Sequence, residues 1–166
     1  MKKFIIINGP MGVGKTVTGK LLCDKIGRAA FIDGDWCLDI HPFVGNKETK
    51  SMAIDNIIYL TKNYCICSEC DTVVLSWIMS KNSIEKILFG LKNIELKIFC
   101  FTLICDKEIL IERWKKDNIV EWRNDEWLNI SIKSVDDFKK RKNENLINNS
   151  LMSIDDVINL IIEKII

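Results

Sequence analysis

The eight residues Gly9-Pro10-Met11-Gly12-Val13-Gly14-Lys15-Thr16 constrain this chain more than any other stretch. They match G-x-x-x-x-G-K-[ST] in full, and they lie between the apolar run Phe4–Ile7 and a helical pattern made by Val17, Leu21, Leu22 and Ile26. A strand, a glycine turn and a helix in that order leave the backbone N–H groups at the helix start turned inward on an anion. The helix end adds roughly half a positive charge. Met11, Gly12, Val13 and Gly14, entered through Gly9 and followed by Val17 in the helix, would form this cradle. Lys15 would reach the terminal phosphates, and the Thr16 hydroxyl is placed to ligate magnesium.

The rest of the chain alternates in a way that fits such a start. Ala29–Ile32, Thr72–Leu75 and Leu96–Ile104 read as strands, with Asn145–Asn148 as a weak fifth. Met52–Tyr64, the run through Ile84, Ile87, Leu88 and Leu91, and Lys107–Lys116 read as helices. Ser153 and Asp156 make a capping-box start to a last helix striped by Ile154, Val157, Ile158, Ile161, Ile162 and Ile165. Strand–helix alternation implies right-handed βαβ units and a parallel sheet covered on both faces, in one α/β domain over residues 1–166.

Composition narrows the partners. With 166 residues the chain can bury a full core without disulfides or a structural metal, and its net charge of +1 favours neither nucleic acid nor an anionic membrane. No leader and no bilayer-length apolar run is evident, so the expectation is a cytoplasmic protein. Seven cysteines, an odd number, do not suggest a disulfide framework. Cys65, Cys67 and Cys70 lack a fourth ligand and regular zinc spacing, and read as a reduced helix end and loop.

The second strand ends in Asp33-Gly34-Asp35-Trp36. Alternate positions on a strand share a face, and two carboxylates about 5 Å apart at an effective dielectric near 20 repel by about 3 kcal/mol. In an open parallel sheet, ligands bind beyond the carboxyl ends of the strands, so both acids would face the bound phosphates. Asp33 is assigned to magnesium beside Thr16, and Asp35 to the proton of an attacking hydroxyl.

Gly9–Thr16 followed by Phe31-Ile32-Asp33-Gly34-Asp35 resembles the P-loop small-molecule kinases, the group of the gluconate, shikimate and nucleoside monophosphate kinases. The Asp-Gly-Asp end of strand two is closest to the gluconate kinase type. The resemblance implies a three-layer P-loop NTPase fold with a five-stranded parallel sheet in the order 2-3-1-4-5. It also implies ATP and Mg2+ as co-substrates and a short lid at about residues 118–140. Arg113 is similar to the arginine such kinases place near the adenine or phosphates at the base of the lid. Arg123 is the lid candidate to neutralise charge on the transferred group. A second lid arginine is missing where Val135-Asp136-Asp137 stands, and Arg141 is either its substitute or part of the solvated Lys139–Lys142 run. No carboxylate ends strand three, where Ser76-Trp77 stands, and Asn46-Lys47-Glu48-Thr49 fails as a guanine-reading motif.

The acceptor pocket is expected from Asp35, Trp36, His41 and Trp77, whose rings suit a planar or ring-containing small molecule such as a nucleoside or nucleotide, a sugar or an antibiotic. The expected activity is ATP-dependent phosphoryl transfer by a monomer or homodimer. The alternative is a nucleotide-binding module or slow ATPase.

Overall fold

The computed structural model describes residues 1–116, 124–141 and 145–166. Five strands form one sheet: β1 (Lys2–Asn8), β2 (Ala29–Asp33), β3 (Thr72–Ser76), β4 (Leu96–Ile104) and β5 (Asn145–Asn148). Their order is β2-β3-β1-β4-β5 and every pairing is parallel. This is the order that the likeness to P-loop kinases implied, and the weak fifth strand pairs with β4 from Phe101↔Asn145 to Ile104↔Asn148.

Alternation along β1 explains why both faces are covered. Phe4 and Ile6 enter one core, with Ile32, Val73 and Leu75, beneath α2 (Lys47–Ile66) and α3 (Lys81–Gly90). Ile5 and Ile7 enter the other, with Val74, Phe101 and Leu103, beneath α1 (Lys15–Ile26) and α6 (Ile154–Ile165). All four β1 side chains are fully buried, each contributing roughly 1.5–3 kcal/mol over exposure. A strand dry on both faces has no polar alternation to display, which is why it reads as a continuous apolar run.

Helix starts follow their caps. Ser153 and Asp156 form the expected reciprocal cap of α6. The second helix begins earlier than its apolar stripe suggested, at Lys47, because Asn46 and Thr49 form a second such box. The larger difference lies in the expected lid. After α4 (Lys107–Lys116), a fifth helix, α5 (Asp125–Lys139), starts at an Asn124 cap and packs on α4 and β4. It buries Ser131, Val135 and Phe138, an inward set too poor in apolar residues to stand out among its charged residues. Residues 124–140 of the lid segment are thus largely a docked helix.

Among the described residues no helix is long and apolar enough to cross a membrane. No group of three His, Cys, Asp or Glu side chains converges there as a metal site. Cys67 is exposed, while buried Cys70 turns its Sγ onto the Thr72 carbonyl at 3.2 Å.

Candidate functional site

The loop between β1 and α1 is shaped by its glycines and held by its carbonyls. Gly9 has φ +139° and passes so close to β4 that a Cβ would stand 2.2 Å from the Leu103 carbonyl oxygen. Gly14 has φ +93°, yet a Cβ there would meet nothing within 4 Å. One glycine is demanded by the neighbouring backbone, the other by a left-handed turn opening onto empty space.

Three loop carbonyls are bonded by side chains outside the loop. Ser131 Oγ of α5 donates to the Met11 oxygen at 2.7 Å. Asn149 Nδ2, just after β5, donates to the Val13 oxygen at 2.9 Å. Thr18 Oγ1 donates to the Gly14 oxygen at 2.9 Å. A trans peptide points the following N–H the opposite way, so the N–H groups of Gly12, Gly14 and Lys15 face away from these anchors. That is the arrangement an anion cradle needs. Lys15 Nζ lies across the loop on the Pro10 oxygen at 2.8 Å.

Asn149 is itself clamped. Arg113 donates from its two terminal nitrogens to the Asn149 side-chain oxygen at 2.9 Å and main-chain oxygen at 2.8 Å. Arg113 and Asn149, with Met152 and Ile154, face Val13, Gly14 and Val17 across a cleft of about 280 Å³. Four residues expected at the nucleotide, Val13, Gly14, Val17 and Arg113, therefore line one cavity. Asn149 and Ser131 escaped the sequence reading. Each is a lone polar residue whose only signal is burial, and burial has no local signature.

On the other side of the loop, Asp33 is shared. Its Oδ2 accepts from Thr16 Oγ1 at 3.2 Å, and its Oδ1 accepts from the Asp35 N–H at 3.0 Å. A hydroxyl and a carboxylate meeting at a helix start beside an anion cradle are hard oxygen donors of the kind Mg2+ takes. Asp35 Oδ1 accepts from the indole Nε1 of Trp77 at 3.1 Å. Burial raises the Asp35 pKa above the ordinary carboxylate value and the Asp33 charge pushes the same way, while Lys15 and the Trp77 N–H pull it back. The residue still reaches solvent.

Residues 5–128 match the family model described as AAA domain. The chain belongs to the AAA domain family. No curated protein matches it in sequence. Solved structures similar to this AAA domain include the tunicamycin resistance protein of Deinococcus radiodurans, at 18% identity and TM-score 0.72 over 99% of this chain and 96% of that one. A gluconokinase from Sinorhizobium meliloti 1021 is similar at 13% identity and TM-score 0.69, over 95% and 87% of the two chains. The shikimate kinase of Bacteroides thetaiotaomicron is similar at 15% identity and TM-score 0.66, over 98% of each. At these identities the likeness is one of fold, and the fold is that of the P-loop kinases.

The remaining expected residues of this AAA domain are spread out. Trp36 and Trp77, read as two walls of one pocket, part company. Trp36 is 77% exposed, with Lys20 Nζ 5.7 Å from its ring. It borders a second groove of about 380 Å³ on the outer flank of β2, shared with Asp33, Asn56, Tyr59 and Tyr64. Trp77 is only 9% exposed, which leaves its ring little surface for a ligand. His41 is exposed, with its Nε2 3.0 Å from Asp39 Oδ1. Arg141 stacks on Phe138 at 3.8 Å and donates to the Met79 oxygen at 2.9 Å. That same oxygen accepts from Asn8 Nδ2 at 3.1 Å, and the Asn8 side chain in turn accepts the Gly9 N–H at 2.8 Å. Arg141 is thus linked through Met79 and Asn8 to Gly9 at the start of the loop, anchored instead of lying in a solvated run. Arg123 lies outside the described residues.

Proposed function

We propose that this chain is an ATP-dependent phosphotransferase acting on the hydroxyl of a small molecule. The observation that carries the reading is the pair of aspartates at the end of β2, one bonded to Thr16 at the cradle and the other held separately beside it. Two acids with different partners at one strand end suit two different tasks, a cation and a proton.

In this reading the inward N–H groups of the loop take the phosphates of ATP, and Lys15 exchanges the Pro10 oxygen for the terminal phosphates. Thr16 and Asp33 would hold Mg2+, which when bound would neutralise charge on the β- and γ-phosphates. Arg113, fixed at two nitrogens by Asn149, presents a planar guanidinium along the cleft where the base would lie. The acceptor hydroxyl attacks the γ-phosphorus in line, its proton passes to Asp35, and the bond from phosphorus to the bridging oxygen of ADP breaks. A raised pKa makes Asp35 a better base than an ordinary surface carboxylate. Arg123 and Arg141 are assigned to the charge on the group in flight. Trp36 and His41 are assigned to the acceptor side.

Acceptors of the nucleoside or nucleotide, sugar and antibiotic classes are the ones to try. The protein is incubated with ATP, Mg2+ and a panel of these, and products are read by mass for one added phosphoryl group. The expected result is one class phosphorylated. ADP formed at the same rate with and without every acceptor would replace this reading with that of a slow ATPase.

A further inference from the structure

The sequence left the glycine between the two acids without a task. A Cβ on Gly34 would stand 2.1 Å from Cγ of the Trp77 indole. No side chain fits between this backbone and that ring, so the ring lies directly under the turn that carries Asp35. Trp77 is pinned by its main chain as well, its N–H donating to the Ile7 oxygen at 3.2 Å, while the Gly34 N–H donates to the Ser76 oxygen at 2.9 Å. The ring packs into the core formed with Cys37, Leu38 and Met79. A buried indole needs one acceptor for its N–H. Here the acceptor is Oδ1 of Asp35, at 3.1 Å.

We propose that Trp77 is a positioning residue for Asp35, fixing one carboxylate oxygen so that the other, Oδ2, is the one presented to the acceptor hydroxyl. This rests on the base role given to Asp35 above. The device fixes the plane of a carboxylate that would otherwise rotate, and proton transfer depends on that geometry. Gly34 is then the residue that admits the tryptophan, and the Asp-Gly-Asp spacing is tied to the Ser76-Trp77 end of β3.

The test follows the Trp77 indole N–H by NMR in the substrate-free protein. Its resonance is assigned by its loss in Trp77→Phe or, should that variant not fold, by its cross-relaxation with Gly34. The expected result is a downfield, exchange-protected indole resonance that moves toward the position of a free indole and exchanges faster with water in Asp35→Ala, where its acceptor is gone. In activity, Trp77→Phe keeps an aromatic ring but no N–H. Its kcat should fall roughly ten- to a hundredfold with KM for ATP unchanged. Added to Asp35→Asn it should cost nothing further, because the two act as one unit. An indole resonance unmoved in Asp35→Ala, or a folded Trp77→Phe with the kcat of the wild type, would overturn the proposal. If the wild-type protein phosphorylates no acceptor, the functional reading fails by itself, and the indole resonance in Asp35→Ala still decides whether Trp77 holds Asp35.

Discussion

The two flanks of the phosphate loop are built differently. On the Arg113 flank the carbonyls of Met11 and Val13 are tied to residues far along the chain, Ser131 and Asn149, and Asn149 is clamped again by Arg113. On the Asp35 flank the chain from residue 41 to 48 is exposed throughout, and Trp36 lies on the surface. The first flank has these carbonyls and the Asn149 side chain bonded before anything binds, so little ordering of them is left to oppose binding there. The second leaves apolar rings in water, a cost that a ligand would relieve. In the proposed function, a nucleotide shared by every turnover would suit the rigid side and a variable acceptor the open one.

The contrast can be broken hardest at Lys15. Lys15→Ala should lower ATP turnover by roughly a thousandfold while the melting temperature stays within a few degrees. A variant of normal turnover would remove the cradle from the chemistry altogether. Asp35→Asn comes next, with phosphoryl transfer down by roughly a hundredfold or more and KM for ATP little changed. An equal loss of ATP binding would reassign Asp35 to the metal.

The same variant has a stability signature. Because the folded-state pKa of Asp35 is raised, chiefly by burial, its ionised form is disfavoured in the fold. The stability it contributes is present below the unfolded pKa and is lost as pH rises through the folded one. Asn carries no charge and can still accept the Trp77 N–H. Asp35→Asn should therefore melt higher than wild type near neutral pH, with the difference closing below about pH 4.

Asn149→Ala probes the rigid flank. It strands the Val13 carbonyl and removes the side-chain one of the two Arg113 hydrogen bonds, and should destabilise the fold by about 1–3 kcal/mol in chemical denaturation. ATP affinity should fall more than acceptor affinity, and the reverse pattern would deny that this flank serves the nucleotide. Trp36→Ala should give the smallest effect, within about 0.5 kcal/mol on stability with a raised KM for the acceptor only. Normal acceptor kinetics would move the acceptor away from Trp36.

What was readable in advance divides along the same line. The loop and the helix after it are contiguous, so Gly9 through Val17 declared themselves as a unit, and the acids of Asp33-Gly34-Asp35 stood out as charges where a strand should end. Helix α5 did not, because its inward set of Ser131, Val135 and Phe138 includes a hydroxyl and is diluted by charged neighbours. Trp77 was expected as a pocket wall for its aromatic character, but the structure puts it beneath Gly34, a relation between two loops 43 residues apart in the sequence.

By itself the sequence determined the alternation of strands and helices, α5 apart, and the Gly9–Thr16 loop of the cradle, since both depend on residues close together along the chain. Only the tertiary structure decided which distant side chains hold that cradle open and which oxygen of Asp35 is left unbound by Trp77. Those outcomes depend on hydrogen bonds and close approaches between segments far apart in sequence, and the hydrophobic pattern of either segment says nothing about where its single polar atom will find a partner.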